Sequence, residues 1–186
     1  KLSNKELQIV ILIPRFDRSG PIKGALALAN GLEANGQRVV VLPMFRGHYS
    51  LNDIPQSSIL LKANTLLKKR EEFRKFIGVL AETRSVKIIS FCLQPDFLTL
   101  ISGFRKISIS SIRGNLFQNY KMAYGVSGIL VALMHYLIVS KFKWVTVLNG
   151  SMKRQIERVT KHVVIIKNFI DEVDISRTYN VNATRS

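Results

Sequence analysis

At 186 residues, 47% of them hydrophobic, the chain is long enough to bury a core, which excludes intrinsic disorder and favours one domain. Its 28 Lys and Arg against 12 Asp and Glu give a formal charge of +16 at pH 7, too large for ordinary solubility tuning. Such a surplus calls for phosphate-rich partners: nucleic acid, a nucleotide-sugar or a lipid headgroup.

The first apolar run, Gln8–Ile13, is closed by Pro14 and Arg15 and is too short for a secretory h-region, so the chain is expected in the cytosol. Further apolar runs rich in Val and Ile recur at Val39–Leu42, Lys87–Cys92, Ile107–Ser111, Trp144–Leu148 and Val163–Ile166. Continuous rather than alternating hydrophobicity predicts strands covered on both faces, as in a parallel sheet. Between the first two, Ile22, Ala25, Leu26, Ala29 and Leu32 keep helical spacing, and Gly36 stands where a C-terminal cap belongs. Leu66, Phe73, Phe76, Ile77 and Leu80 repeat the spacing over 65–83 and leave Lys68, Lys69, Arg70 and Lys75 for the outer face. The alternation predicts a Rossmann-like, doubly wound α/β parallel sheet with helices on both faces over residues 1–167. Residues 168–186 lose the period and read as a linker or tail.

Cys92, the single cysteine, excludes an internal disulfide and a Cys-based metal cluster, fits a reducing compartment, and is expected to be a packed, inert thiol. No Asp or Glu falls between Asp96 and Glu157, and Asp96 is isolated in the sequence. Met122–Ser140 carries no formal charge over 19 residues, but Gly125, Ser127, Gly128 and His135 interrupt it where a crossover helix is required. It is expected to be a buried or partly membrane-facing helix rather than a span, with His135 in the core or an interface. Asn149, Gly150 and Ser151 form a capping sequence for a helix over 152–158.

The turn after the first strand, "RFDRSGPIKG", is where open α/β sheets bind ligands. Gly20 supplies conformational freedom or close approach, Pro21 suits a first helical position, and Arg15, Arg18 and Lys23 add positive charge. It reads either as a phosphate seat or as a tight turn with solvated charges. It is not a P-loop, which needs four residues between its glycines and then Lys-Ser/Thr, because only three residues separate Gly20 and Gly24 and Ala25 follows. Nor is it a dinucleotide fingerprint, because the second strand, "VVVLPMF", ends without an acid. Arg113, in "SIRGN" at a strand end, carries a planar fork suited to phosphate, with Gly114 leaving room; the alternative is a solvent-facing arginine.

The segments "SGPIKGALALANGLEANGQRVVVL", "SIRGN" and "WVTVLNGSMKRQIERV…HVVIIKNFID" together resemble the N-terminal domain of retaining, family-4 bacterial glycosyltransferases of the GT-B fold. "IKNFID", Ile166–Asp171, would correspond to the passage into a second domain. The family's Gly-Gly turn is Ser19-Gly20 here, and where many members place a sugar-facing His this chain has Gln94, which hydrogen-bonds but does not titrate. The resemblance implies the acceptor-side half of an enzyme that moves a hexosyl or N-acetylhexosaminyl group from a nucleotide-sugar donor to a saccharide on polyprenyl diphosphate, as in O-antigen or other surface-polysaccharide synthesis.

It implies transfer without a metal or other cofactor, and an isolated chain that does not turn over because the donor domain lies outside it. Catalytic residues are not assigned; substrate contacts fall to Arg15, Ser19, Gly20, Lys23, Gln94, Arg113, Gly114 and Asn115. An acceptor of this kind implies an anionic membrane surface at the inner face of the bacterial inner membrane, where each apposed cation contributes about 1 kcal/mol before screening. Lys68, Lys69, Arg70, Arg74 and Lys75, with the apolar stretch from Met122, are the expected docking elements, or else a solvated face and a core helix. The other classes compatible with the charge are a nucleic-acid-binding module, although no reading motif is present, and a noncatalytic α/β partner domain.

Overall fold

The computed structural model describes residues 5–47 and 57–167. The strands are β1 (Leu7–Ile13), β2 (Arg38–Pro43), β3 (Ser85–Phe91), β4 (Ser108–Ile112), β5 (Trp144–Val147) and β6 (His162–Ile165). They form one six-stranded sheet, all parallel, in the order β2-β1-β3-β4-β5-β6. Each expected strand lies within two residues of an observed one. The helices are α1 (Gly20–Ala34), α2 (Leu66–Thr83), α3 (Leu93–Ile101), α4 (Leu116–Tyr124), α5 (Gly128–Val139) and α6 (Gly150–Ile156). The passage Ile166–Asp171 and the tail 168–186 lie wholly or mostly outside the described residues.

Alternate residues of β1 serve opposite faces, as the pleat requires. Ile9, Ile11 and Ile13 pack with Ile22, Ala25 and Ala29 of α1. Val10 and Leu12 pack with Phe73 and Ile77 of α2 and Leu98 of α3 on the other face. Beyond them Ile112, Val145 and Val147 pack against Tyr136 and Val139 of α5 and Met152 and Ile156 of α6. Helices thus lie on both faces, as the doubly wound pattern predicts.

Helix α1 ends as its sequence indicates. Gly36 takes φ 74°, its N–H donates to Glu33 O at 2.9 Å, and the Gln37 N–H donates to Leu32 O at 3.0 Å. These paired bonds satisfy carbonyls that the helix end leaves open.

The outer face expected for α2 needs correction. Lys69 is buried at 3% exposure: its Nζ donates to Met44 O at 2.5 Å and to Ala63 O, 4.6 Å from the Phe45 ring centroid. It continues the stripe of Phe73 and Ile77 past the sheet, where backbone carbonyls rather than apolar groups await it. Desolvation lowers its pKa, and Glu72 partly offsets this. Arg70 Nε donates to Ile101 O at 2.8 Å and Arg74 Nη1 to Ser102 O at 2.9 Å, so both fasten α2 to the end of α3. Of the five expected docking cations, Lys68 and Lys75 remain exposed without such ties.

The expected single crossover helix over Met122–Ser140 is instead a corner. By length and composition the 24 residues Leu116–Val139 could cross a membrane, their most apolar 18-residue stretch having mean hydropathy 1.8. Gly125 breaks it with φ 61°, a left-handed conformation favouring glycine. At Gly128 a Cβ would stand 2.0 Å from Tyr120 O, so glycine there admits the close approach that folds α5 against α4. The inner side of α5 buries Ala132, His135, Tyr136 and Val139, which places His135 in the core.

Candidate functional site

β2 and β3 flank β1 on opposite sides, so the helices after β1 and β3 leave on opposite faces, which makes the carboxyl ends of these strands the switch point where open α/β sheets form a ligand crevice. Three turns deliver side chains to this edge: the β1–α1 turn with Arg15, Asp17 and Arg18, the β3–α3 junction with Cys92 and Gln94, and the β4–α4 turn with Arg113. Phe16, Phe91 and Cys92 share one apolar cluster, which joins the first turn to the second. Burial pushes the Cys92 thiol up to about 12, with the Asp96 and Asp17 carboxylates adding to the shift. Cys92 is therefore an uncharged thiol at neutral pH. It also holds φ 74°, the sole non-glycine residue with positive φ among those described, at the start of α3.

The β1–α1 turn is ordered by Asp17, whose Oδ1 accepts from the Ser19 N–H at 2.9 Å and from the Ser19 hydroxyl. The Ser19 hydroxyl is thereby committed, and α1 begins with no side-chain cap on its first-turn amides. Pro21 occupies the first turn, as expected. Gly20 has no positive φ, and a Cβ there would meet nothing within 4 Å, so it contributes open space rather than an unusual backbone. Arg15, Arg18 and Lys23 are exposed around it. The Ile22 and Lys23 N–H groups donate to Ser19 O at 3.1 and 3.0 Å and Pro21 has no N–H, so the helix start favours an anion through its dipole, the Gly20 N–H and the nearby cations.

Arg113 is pinned across the strand ends. Its guanidinium lies 5.4 Å from the Phe91 ring centroid, its Nε donates to Ser111 Oγ at 3.0 Å, and Nη1 reaches Ile166 O at 3.4 Å. Thr146 Oγ1 donates to the same Ser111 oxygen at 3.1 Å, which ties β5 into the arrangement. Desolvation lowers the Arg113 pKa, though an arginine remains cationic at neutral pH. Its neighbours have structural work. Asn115 caps α4 by accepting the Gln118 N–H at 3.2 Å, and a Cβ on Gly114 would meet Asn119 Nδ2 at 2.2 Å. The space at Gly114 is thus filled by Asn119. Gln94 is exposed in the first turn of α3.

Behind the crevice runs a buried polar chain that the sequence reading missed. Asp96, 0% exposed, accepts from the Ser90 hydroxyl and from Ser110 Oγ at 2.7 Å. His135 Nε2 stands 2.9 Å from Asp96 Oδ2, and His135 Nδ1 stands 2.9 Å from the Tyr120 hydroxyl. The two ring nitrogens thus bridge the Asp96 carboxyl and the Tyr120 hydroxyl. Burial raises the Tyr120 pKa, with Cys92 and Asp96 adding to it. The chain links the sheet centre to α3, α4 and α5 and holds the crevice wall in register. Its signal was present in the serines: "IISF" and "SISSI" put small polar residues at the strand centres, where a parallel sheet otherwise carries Val and Ile. Among the described residues no group of His, Cys, Asp and Glu is placed to hold a metal ion.

This six-stranded parallel sheet with its flanking helices is the Rossmann-like fold found in GT-B glycosyltransferases. Apo UGT2 of Phytolacca americana matches with TM-score 0.62 and 14% identity, over 88% of this chain and 52% of that one. A Polygonum tinctorium UDP-glucosyltransferase capable of glucosylating indoxyl, in a complex with 3,4-dichloroaniline, matches with TM-score 0.54 and 11% identity, over 91% of this chain and 54% of that one. The chain therefore spans about half the length of each. No protein-family model matches the chain, and no curated protein matches its sequence.

Proposed function

We propose that this chain is the acceptor-side half of a retaining, metal-independent glycosyltransferase of the family-4 type, moving a hexosyl or N-acetylhexosaminyl group from a nucleotide-sugar to a saccharide on polyprenyl diphosphate. The observation that carries this reading is the crevice between β1, β3 and β4, walled by the pinned Arg113 and the uncapped start of α1, on a fold shared with UDP-glucosyltransferases. A diphosphate is the ligand such a site suits: Arg113 supplies a cationic guanidinium, and the open space at Gly20 leaves its own N–H and the positive end of the α1 dipole approachable, with the exposed Arg15 and Lys23 on the same segment. Gln94 is available to a sugar hydroxyl. Ser19, Gly114 and Asn115 shape the turns that present these groups.

In this reading a second domain outside the chain brings the nucleotide-sugar, and the crevice contributes positioning and electrostatic stabilisation of the departing diphosphate. The Asp96–His135–Tyr120 chain acts through the wall it braces. The enzyme works at the cytosolic face of a bacterial inner membrane, in O-antigen or related polysaccharide assembly, where the charge of +16 meets anionic lipid.

The test is transfer by the complete gene product, given radiolabelled UDP-glucose or UDP-N-acetylglucosamine and lipid extracts bearing prenyl-diphosphate saccharides. Label is expected in the lipid phase with the anomeric configuration kept and with EDTA present. Absence of transfer from any sugar nucleotide, together with oligonucleotide binding that survives physiological salt, would move the chain to the nucleic-acid class.

A further inference from the structure

The corner of α4 and α5 carries two apolar sides where a packed helix needs one. Opposite its buried side, α5 exposes Leu130 (70%), Leu133 (47%) and Leu137 (68%), and the corner that leads into it exposes Met122 (79%) and Val126 (80%). Positions 126, 130, 133 and 137 follow the spacing of one helical face, so they form a continuous stripe. Singly exposed apolar residues are ordinary; a contiguous stripe of this kind marks an interaction surface.

Beside the stripe, Phe117, Leu133, Tyr136, Leu137 and Val159 line a groove of about 550 Å³ between α4, α5 and α6, with Arg158 at its mouth. That volume lies within the range of small-molecule sites, roughly 300–1,000 Å³. Arg158 lines the groove and is exposed, and the same helices carry further exposed cations, Lys121 in the last turn of α4 and Lys141 after α5. No carboxylate interrupts the sequence from Phe97 to Ile156, and Glu157, next to Arg158, is paired with Lys153 at 3.4 Å. An apolar stripe edged by cations complements an anionic lipid surface, whose chains take the stripe while its phosphates meet the cations.

We propose that the α4–α5 corner is the membrane-docking element, lying in the interface of an anionic phospholipid bilayer, with one lipid hydrocarbon chain seated in the groove beneath Arg158. The inference rests on the membrane reading given above, which named both the α2 cations and the stretch from Met122, and goes further by confining the contact to the α4–α5 corner and seating a lipid chain in its groove. Lys69, Arg70 and Arg74 are committed to backbone carbonyls, which leaves α2 a poorer docking face than its charge suggests.

The experiment is co-sedimentation of the whole chain with vesicles of phosphatidylcholine alone or mixed with phosphatidylglycerol. Three variants are compared: Leu130→Gln with Leu137→Gln, Arg158→Gln, and Lys68→Gln with Lys75→Gln. Thermal melting checks that each folds, and light scattering reports its oligomeric state. The wild type is expected to bind the mixed vesicles only. The leucine pair should weaken binding by at least about tenfold, Arg158→Gln by about threefold to tenfold, and the α2 pair by less than twofold, in line with buried apolar area outweighing single surface charges. If the α2 pair abolishes binding and the leucine pair does not, the inference fails while the membrane reading stands. If the wild type binds neither vesicle, both fail. If the wild type is a dimer that the leucine pair converts to monomer with vesicle binding unchanged, a second copy covers the stripe and the inference is overturned.

Discussion

Asp96→Ala is expected to cost about 3–5 kcal/mol of folding stability, read as a fall in the urea unfolding free energy followed by circular dichroism. The carboxylate lies at 0% exposure and takes hydrogen bonds from Ser90, Ser110 and His135. Alanine leaves Ser110 and His135 without that partner and Ser90 with only Ile109 O at 3.4 Å, and each group left unsatisfied carries its full desolvation penalty. The expected cost is a large share of a total stability of about 5–15 kcal/mol, so the variant should be marginal at room temperature. Asp96→Asn keeps the shape and part of the acceptor capacity and should lose less. Because His135 and Asp96 act as one unit, the Asp96→Ala/His135→Ala double variant should lose clearly less than the sum of the single losses. An Asp96→Ala loss under about 1 kcal/mol would mean that the chain is incidental to the wall it joins.

Arg113→Ala is expected to lower kcat/KM of the complete enzyme by about 100- to 1,000-fold, the size of effect seen when one preorganised donor to developing charge is removed. Arg113→Lys should recover little, because a point charge cannot reproduce a fork held by Ser111, Ile166 and the Phe91 ring. Those contacts also make Arg113 part of the strand-end packing, so melting temperatures must accompany the kinetics. A stable Arg113→Ala protein with activity within a few-fold of wild type would remove Arg113 from the site.

The sheet was legible because its strands are uninterrupted apolar runs, and a chain with runs at that spacing has few ways to bury them other than a parallel sheet. The ends of α1 were legible because Pro21 and Gly36 act locally. The buried chain was not, since its key pair, Asp96 and His135, stands 39 residues apart and meets only through tertiary packing. Lys69 defeated the outer-face reading for the same reason: its acceptor at Met44 is 25 residues away. The α4–α5 corner was half visible. Gly125 and Gly128 were noticed as interruptions, but only the approach of Gly128 to Tyr120 O turns an interruption into a fold-back. At the crevice, Arg113 and the Gly20 turn lie at one sheet edge as the connectivity required, whereas the capping duty of Asn115 depends on where α4 starts.

The most direct test of the account is backbone hydrogen exchange of the chain with and without UDP, whose diphosphate is the departing group of the proposed transfer. A diphosphate seated in the crevice should slow exchange at the amides of Gly20, Ile22 and Lys23 and of Arg113–Leu116 while leaving β6 and α6 unchanged. Slowing confined to other segments, or none at saturating ligand, would contradict the site on which the functional reading stands.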